Sequence, residues 1–338
     1  MFGRILGALI VLAVAVASLL VGWPQLLGLE QTDGIAQVLA LRGAAAAGAI
    51  VVGIVVVILA FLGRRLRRLL APIALVLVAF VALEGIALGS RGLVPGPLAE
   101  ADHDTITILS WNTEGGAMPA SELKGLVEDT QADVVTLPET TEKYAAQVRD
   151  LLAADGAEWQ LYTAAYDHIS PARSTSLLIS KRLGAYEANT EQTTTGQLPS
   201  VVAVPANGEG PTIVAVHAVA PTDLPTWRSD LRWLASACRA GDDVIMSGDF
   251  NSTVDHWSHL VDAGVPKARL GACLDSAEAG GQGGQGTWPT SVPSLLGAPI
   301  DHVLHSTGWT VTGYRVIGSR DGSGSDHRPI LARLKANG

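Results

Sequence analysis

The pattern of apolar positions divides the chain in two. Residues 1–100 hold three long apolar runs, whereas residues 101–338 alternate short apolar stretches with polar ones. The runs 5–27, 41–63 and 69–90 each come close to the ~20 residues that cross a bilayer as a helix. Within the second, AAAAGAIVVGIVVVILAFLG has no polar face, which a helix on a globular core keeps. The three runs are therefore expected to be membrane spans. Alone, the first would pass for a signal peptide, but WPQLLGLE follows it where a small-residue cleavage site is needed. Residues 93–103 (LVPGPLAEADH) read as a Pro/Gly-containing acidic linker, and 104–338 as a separate domain.

Within that domain TITILS (105–110) alternates as a strand, and PASELKGLVEDT (119–130) has apolar residues at helical spacing. ADVVTLPET, STSLLIS, SVVAVPA, TIVAVHA, DDVIMSGDFN, APIDHVLHS, WTVTGYRVI and PILARL read as strands. Residues 143–153 and 225–240 read as helices, and 277–290 as irregular. Strands at short spacing with helices between them predict an α/β domain.

Charge adds orientation. GRRLRR (Gly63–Arg68) places four arginines between the second and third runs. Basic loops stay in the cytoplasm. With Arg4 at the N-terminus, this predicts a multi-pass cell-membrane protein whose N-terminus is cytoplasmic and whose 104–338 domain is extracytoplasmic. Arg42 and Glu84 interrupt the runs near their outer ends, where each is expected to reach the interface. Residues 101–338 carry 16 Lys and Arg against 28 Asp and Glu, a net of −12. No basic groove for long nucleic acid is visible, although a bound metal changes local charge. Cys238 and Cys273 both fall in the exported part. A disulfide is allowed there, and a buried free thiol suits the apolar pattern LRWLASACRA equally.

Polar residues recur at strand ends. Asn112 follows TITILSW, Glu139 follows DVVTLP, and His217 follows TIVAV. Asp249 and Asn251 follow DVIMSG, Asp301 stands beside IDHVL, and Asp326-His327 precedes PILARL. One strand-end Asp or Asn is usually a turn former or cap. Six such places in one domain point to an assembled site.

The motifs SWN (110–112), PET (138–140), HAVAP (217–221), GDFN (248–251), IDHV (300–303) and SDHRPI (325–330) resemble, in order and spacing, the endonuclease/exonuclease/phosphatase family. That family includes pancreatic-type deoxyribonucleases and neutral sphingomyelinases. The resemblance covers 104–335 and implies a two-layer sandwich of mixed β-sheets flanked by helices (α/β/β/α), here preceded by three transmembrane helices. It also implies metal-assisted hydrolysis of a phosphate ester. By match, Glu139 and Asn112 hold a divalent cation, Mg²⁺ or else Mn²⁺, with Asp326 close to it. His327 is the general acid or base and Asp301 holds its imidazole. Asp249 positions or activates the attacking water, and Asn251 contacts a phosphate oxygen. His217 is a second catalytic or phosphate-binding His, and Arg173 a phosphate contact. An extended Asp-Phe-Asn would point Asp249 and Asn251 the same way and Phe250 into the core.

Two departures stand out. Pro138 replaces the family's Gln, and TEGG follows Asn112, leaving Glu114 as an extra ligand or a turn residue. Trp288 sits where relatives carry an aromatic. His256, His259, His302 and His305 read as polar surface or core positions. The expected function is a membrane-tethered, outward-facing, metal-dependent phosphoesterase acting on a phosphodiester or phosphomonoester, lipid head groups included. The alternatives are an extracellular nuclease and a catalytically inactive binding domain. Specificity is expected in the loops 164–173, 188–199 and 276–298.

Overall fold

Ile106 and Ile108 of TITILS face one way and Leu109 the other, and this alternation builds the first strand into a two-sided layer. The computed structural model describes residues 2–166, 170–188 and 194–337. Four helices come first: α1 (Phe2–Gly22), α2 (Ile35–Ala40), α3 (Arg42–Ala60) and α4 (Arg64–Ser90). The domain then runs β1 (Thr105–Ser110), α5 (Ala120–Thr130), β2 (Val134–Leu137), α6 (Glu142–Ala154), β3 (Trp159–Ala164), β4 (Thr175–Ser180), β5 (Tyr186–Ala188), β6 (Val201–Pro205) and β7 (Thr212–His217). It closes with α7 (Leu224–Ser236), β8 (Val244–Asp249), β9 (Leu274–Asp275), α8 (Ser276–Ala279), β10 (Asp301–His305), β11 (Trp309–Val316) and β12 (Ile330–Ala336).

The strands form two six-stranded sheets, ordered β11-β12-β1-β2-β4-β3 and β5-β6-β7-β8-β10-β9. Each is mixed, with one parallel pair: β1 with β2, and β7 with β8. Ile106, Ile108 and Ile330 of one sheet pack against Ile213, Ile245 and Val303 of the other. Outside, Leu123, Leu126 and Val148 of α5 and α6 cover the first sheet, and Trp227, Leu231 and Leu234 of α7 cover the second. This is the expected α/β/β/α sandwich.

β3, β5 and β9 were not expected. All three are edge strands, and every residue of β3 is only half-buried, so WQLYTA shows no clean apolar side. Helix α7 stops at Ser236, short of the expected 240. There Gly271 presses on the carbonyls of Ala235 and Cys238, where an added Cβ would lie 2.2 and 2.4 Å from the two oxygens. Cys238 and Cys273 are disulfide-bonded beneath it.

The N-terminal helices also differ in detail. Three of them, over Ile5–Gly22, Arg42–Ala60 and Arg64–Ser90, are long and apolar enough to cross a membrane. α1 ends at Gly22 because Pro24 forces its predecessor out of helical geometry, and Pro24–Leu27 form a 3₁₀ turn. The arginines of GRRLRR lie in the first turns of α4, not in a loop. Arg42 and Glu84, expected at a lipid–water interface, are buried and paired at 2.6 Å. Residues 93–103 lie along the domain: Gly96 N–H donates to Gly280 O at 3.0 Å and Ala99 N–H to Thr312 O at 3.1 Å.

Candidate active site

Strand register gathers the polar strand ends at one edge of the sandwich. In the second sheet Asp249 is flanked by His217 on β7 and by Asp301 on β10. In the first, Ser110 pairs with Thr136 on one side and with Ile330 on the other. Asn112, Glu139 and His327 therefore emerge beyond the same edge. Gly248 is required before Asp249: its φ is 147°, and a Cβ would lie 2.1 Å from Val216 O. Glu139 and Asn251 adopt left-handed conformations, φ 48° and 45°. Such residues cost on the order of 1–3 kcal/mol each and gather at functional sites. Asn251 is thus not extended as expected, although Phe250 is buried.

His327 Nδ1–H donates to Asp301 Oδ2 at 2.9 Å, and Nε2 lies 3.8 Å from Asp249 Oδ2 and 3.7 Å from Asp326 Oδ1. Burial opposes the imidazolium, but the charges of Asp301, Asp249 and Asp326 outweigh it and push His327 up to about 10. Burial, with Asp301 and Glu139 nearby, pushes Asp249 up to about 7 against the pull of His327. His217 goes the other way: burial, helped by the charges of His327 and Arg173, lowers it to about 3. Its Nδ1 meets Thr175 Oγ1 at 3.1 Å. Its Nε2 has no hydrogen-bond partner among the described residues.

Asn112 Nδ2 donates to Glu139 Oε1 at 3.1 Å and to Asp249 Oδ2 at 3.2 Å, while its Oδ1 accepts from Glu114 N–H. It bridges two carboxylates as a donor, and Oδ1 keeps a second lone pair open to a cation beside the Glu114 bond. Asn251 N–H donates to Asp249 Oδ1 at 2.8 Å and its amide to Ala218 O at 2.8 Å. Asp326 Oδ2 accepts from Trp288 Nε1 at 2.7 Å, and Glu114 Oε2 accepts from Asp326 N–H at 3.1 Å. Glu114, Glu139, Arg173, His217, Asp249, Asn251, Trp288, Asp326 and His327 line a cleft of about 740 Å³, and Asn112 and Asp301 stand behind its wall.

The donor chemistry of the cleft fits a hard divalent cation. The carboxylates of Glu114, Glu139, Asp249 and Asp326 line it with one imidazolium and one guanidinium, and behind them buried Asp301 Oδ1 lacks a partner among the described residues. Asp249, Asp301 and His327 each offer an atom within 4.8 Å of the others. The His327–Asp301 hydrogen bond uses Nδ1 and Oδ2, leaving Asp301 Oδ1 without a partner among the described residues, and Glu139 is a further carboxylate of the cleft that could hold a cation.

Residues 109–327 match the family model described as Endonuclease/Exonuclease/phosphatase family. The chain belongs to that family. Members of the endonuclease/exonuclease/phosphatase family are generally phosphoester hydrolases that use divalent metals. Among solved structures, the chain is similar to an endonuclease/exonuclease/phosphatase from Beutenbergia cavernae, with 18% identity over 70% of this chain and 72% of that one and a TM-score of 0.50. It is also similar to D. rerio TDP2 complexed with single strand DNA product, with 17% identity over 69% and 99% and a TM-score of 0.52. A third is a family protein from Leptotrichia buccalis, with 14% identity over 68% and 99% and a TM-score of 0.51. These likenesses establish the fold. No curated protein matches the chain.

Supporting residues went unread in the sequence. Ser325 Oγ donates to Asn112 O and accepts from His327 N–H, tying two family motifs together. Buried Arg328 donates to the carbonyls of Gly286, Pro289, Thr290 and Val292, clamping the loop that carries Trp288. A second buried pair underlies the GDFN loop: His302 Nδ1–H donates to Asp275 Oδ2 at 2.9 Å and Nε2–H to Ser252 O at 3.0 Å. Two donated bonds require the imidazolium.

Burial opposes that charge, yet Asp275 raises His302 above 6.5, and His302 in turn holds buried Asp275 below 3.8. A raised cationic pKa adds stability that is full below the unfolded value and is lost as pH climbs through the folded one. A lowered acidic pKa adds stability above the unfolded value and loses it as pH falls. The pair is thus strongest between about 4 and 6.5. Urea unfolding of the wild type is expected to weaken from pH 6 to pH 9 more steeply than that of His302→Gln. Parallel slopes would show that the pair is not the source.

Proposed function

We propose that the protein is a membrane-tethered, divalent-metal-dependent phosphoesterase whose catalytic domain faces outward. The convergence of His327–Asp301, Asp249, Glu139, His217 and Asn251 on one cleft carries this reading, and family membership supports it. The apolar helices support the tether, and the arginines at the start of α4 support the orientation.

Asp249, near neutrality in its buried setting, accepts a proton from the attacking water. The water oxygen adds to phosphorus, the bond to the leaving oxygen breaks, and that oxygen takes a proton from solvent water while Asp249 returns its own to solvent. His327, held charged by Asp301, offers Nε2–H to the phosphate oxygens as negative charge builds on them. Neutral His217 and the Asn251 amide stand on the same side. Mg²⁺, or Mn²⁺, held by Glu139 with Asn112 and Asp326 would supply further charge neutralisation at those oxygens. Pro138, in place of the usual Gln, contributes its carbonyl, which accepts from Thr113 N–H and Thr140 Oγ1.

A nuclease reading has one observation in its favour: the D. rerio TDP2 structure of the same fold holds a single strand DNA product. The acidity of residues 101–338 weighs against it. The test compares bis(p-nitrophenyl) phosphate, p-nitrophenyl phosphate and plasmid DNA, each with Mg²⁺, with Mn²⁺ and with chelator. Turnover of a small ester is expected with metal. It should disappear with chelator and drop by about 10²–10⁴ in Asp249→Ala and His327→Ala. Chelator-resistant turnover would refute the metal requirement, and efficient cleavage of DNA alone would establish the nuclease.

A further inference from the structure

Gln37, Ala40 and Leu41 line the same cleft as His327, Asp249 and Glu139. These three residues lie in the N-terminal segment, outside the family match at 109–327. The wall they form is locked in place. Buried Ala36 joins the core beneath α7, and its carbonyl accepts from His256 Nε2–H at 3.0 Å. Gln37 Nε2 donates to Pro221 O at 2.8 Å, and its buried Oε1 has no partner among the described residues. The outer ends of α1, α3 and α4 meet at Asp255. Arg42 donates to both its oxygens at 2.8 Å, Arg91 to both at 2.7 and 2.6 Å, and Arg42 also bonds Gly22 O. The catalytic domain therefore sits directly on the ends of the apolar helices. At the start of α3 the loop 294–297, downstream of Trp288, abuts Gly43, where a Cβ would lie 1.7 Å from Leu295 O.

Leu41 is also the N-cap of α3, and Ala45 and Ala49 follow about one and two turns into the helix, each step of four turning about 40° round the axis. Ala49, Gly53 and Val57 line an apolar groove of about 390 Å³ between α3 and α4, with Ala74 and Val78 opposite. From Leu41 to Ala49 the rise is about 12 Å along the axis. Leu41 of the cleft and Ala49 of the groove thus stand about two turns apart at the start of one helix, with Ala45 between them and no lining residue in common. Trp23, Leu26, Leu27 and Leu295 stand exposed around the same level, as side chains at a bilayer surface do.

We propose that the N-terminal segment is part of the active site, and that the substrate is an amphiphilic phosphate ester whose phosphate enters the cleft while its hydrocarbon chain leaves it past Leu41 and Ala45 at the start of α3. This rests on the phosphoesterase reading above. Leu41 and Ala45 are then specificity-determining residues.

The test uses the full chain in detergent micelles with Mg²⁺ or Mn²⁺. It compares methyl p-nitrophenyl phosphate with hexadecyl p-nitrophenyl phosphate, which differ only in the chain and release the same p-nitrophenol. The long-chain ester is expected to show a kcat/KM about tenfold or more above the methyl ester. Leu41→Asp and Ala45→Trp, each checked for an unaltered melting transition, should cut that preference about tenfold. Equal kcat/KM for the two esters overturns the inference and leaves the phosphoesterase reading standing. So does a long-chain preference that survives in both variants, since micellar concentration alone would explain it. If the folded protein turns over neither ester, the phosphoesterase reading fails and this inference with it.

Discussion

Asp301→Asn is expected to lower turnover of a phosphodiester by about three to four orders of magnitude while shifting the melting temperature by only a few degrees. Asp301 Oδ2 holds His327 Nδ1–H at 2.9 Å, and Asp301 is the leading cause that raises His327 against the cost of burial. An Asn of the same shape keeps the packing but removes the charge that sustains the imidazolium. His327 then loses its proton nearer neutral pH. The basic limb of the pH–rate profile, set in the wild type by a group pushed up to about 10, should move down in the variant. Loss of rate matched by an equal loss of stability, with no movement of that limb, would reduce Asp301 to a structural residue.

The second large effect is on stability. Asp255→Ala in the full chain should cost about 3–5 kcal/mol, a drop in Tm on the order of 10 °C. Asp255 is buried and holds two guanidinium groups, Arg42 and Arg91, with Glu84 on the far side of Arg42. Burial disfavours its charge, yet Arg91 and Arg42 keep the carboxyl well below the usual carboxylate range. Removing it leaves two cations at the helix ends without their shared partner. Adding Arg42→Ala to Asp255→Ala should cost less than the sum of the single changes, because the first has already broken the network. Differential scanning calorimetry on the four proteins of this cycle checks the prediction. A single-variant loss under about 1 kcal/mol, or strict additivity, would mean that the network does not join the N-terminal helices to the domain.

Residues local to strands and their ends were legible from the chain alone. The two-residue alternation of TITILS and TIVAVH and the buried run VVTL named their strands, because an interior strand shows its burial in sequence. The polar residues just past those strands named the site, because GDFN and SDHRPI keep their chemistry within a few positions. The edge strand β3 was silent, since half-buried residues on both faces leave no period. The register that sets His217 and Asp301 on either side of Asp249 came only from tertiary pairing, because no local pattern encodes which strand lies next to which.

The same holds for the pairings across the chain. Cys238 could be read as bridged or free until Cys273 was placed beside it. Arg42 and Glu84 looked like charges reaching for water at a membrane surface. Arg42 pairs with Glu84 and also with Asp255, 213 residues away along the chain, and only the fold brings that carboxylate to Arg42 and Arg91. Local pattern along the chain was enough for the chemistry available: three apolar helices, an α/β sandwich, and a family set of carboxylates, amides and histidines. The tertiary structure alone decided that Leu41 and Ala40 share a cleft with His327, because which surfaces meet depends on the packing of distant segments, not on the order of neighbours.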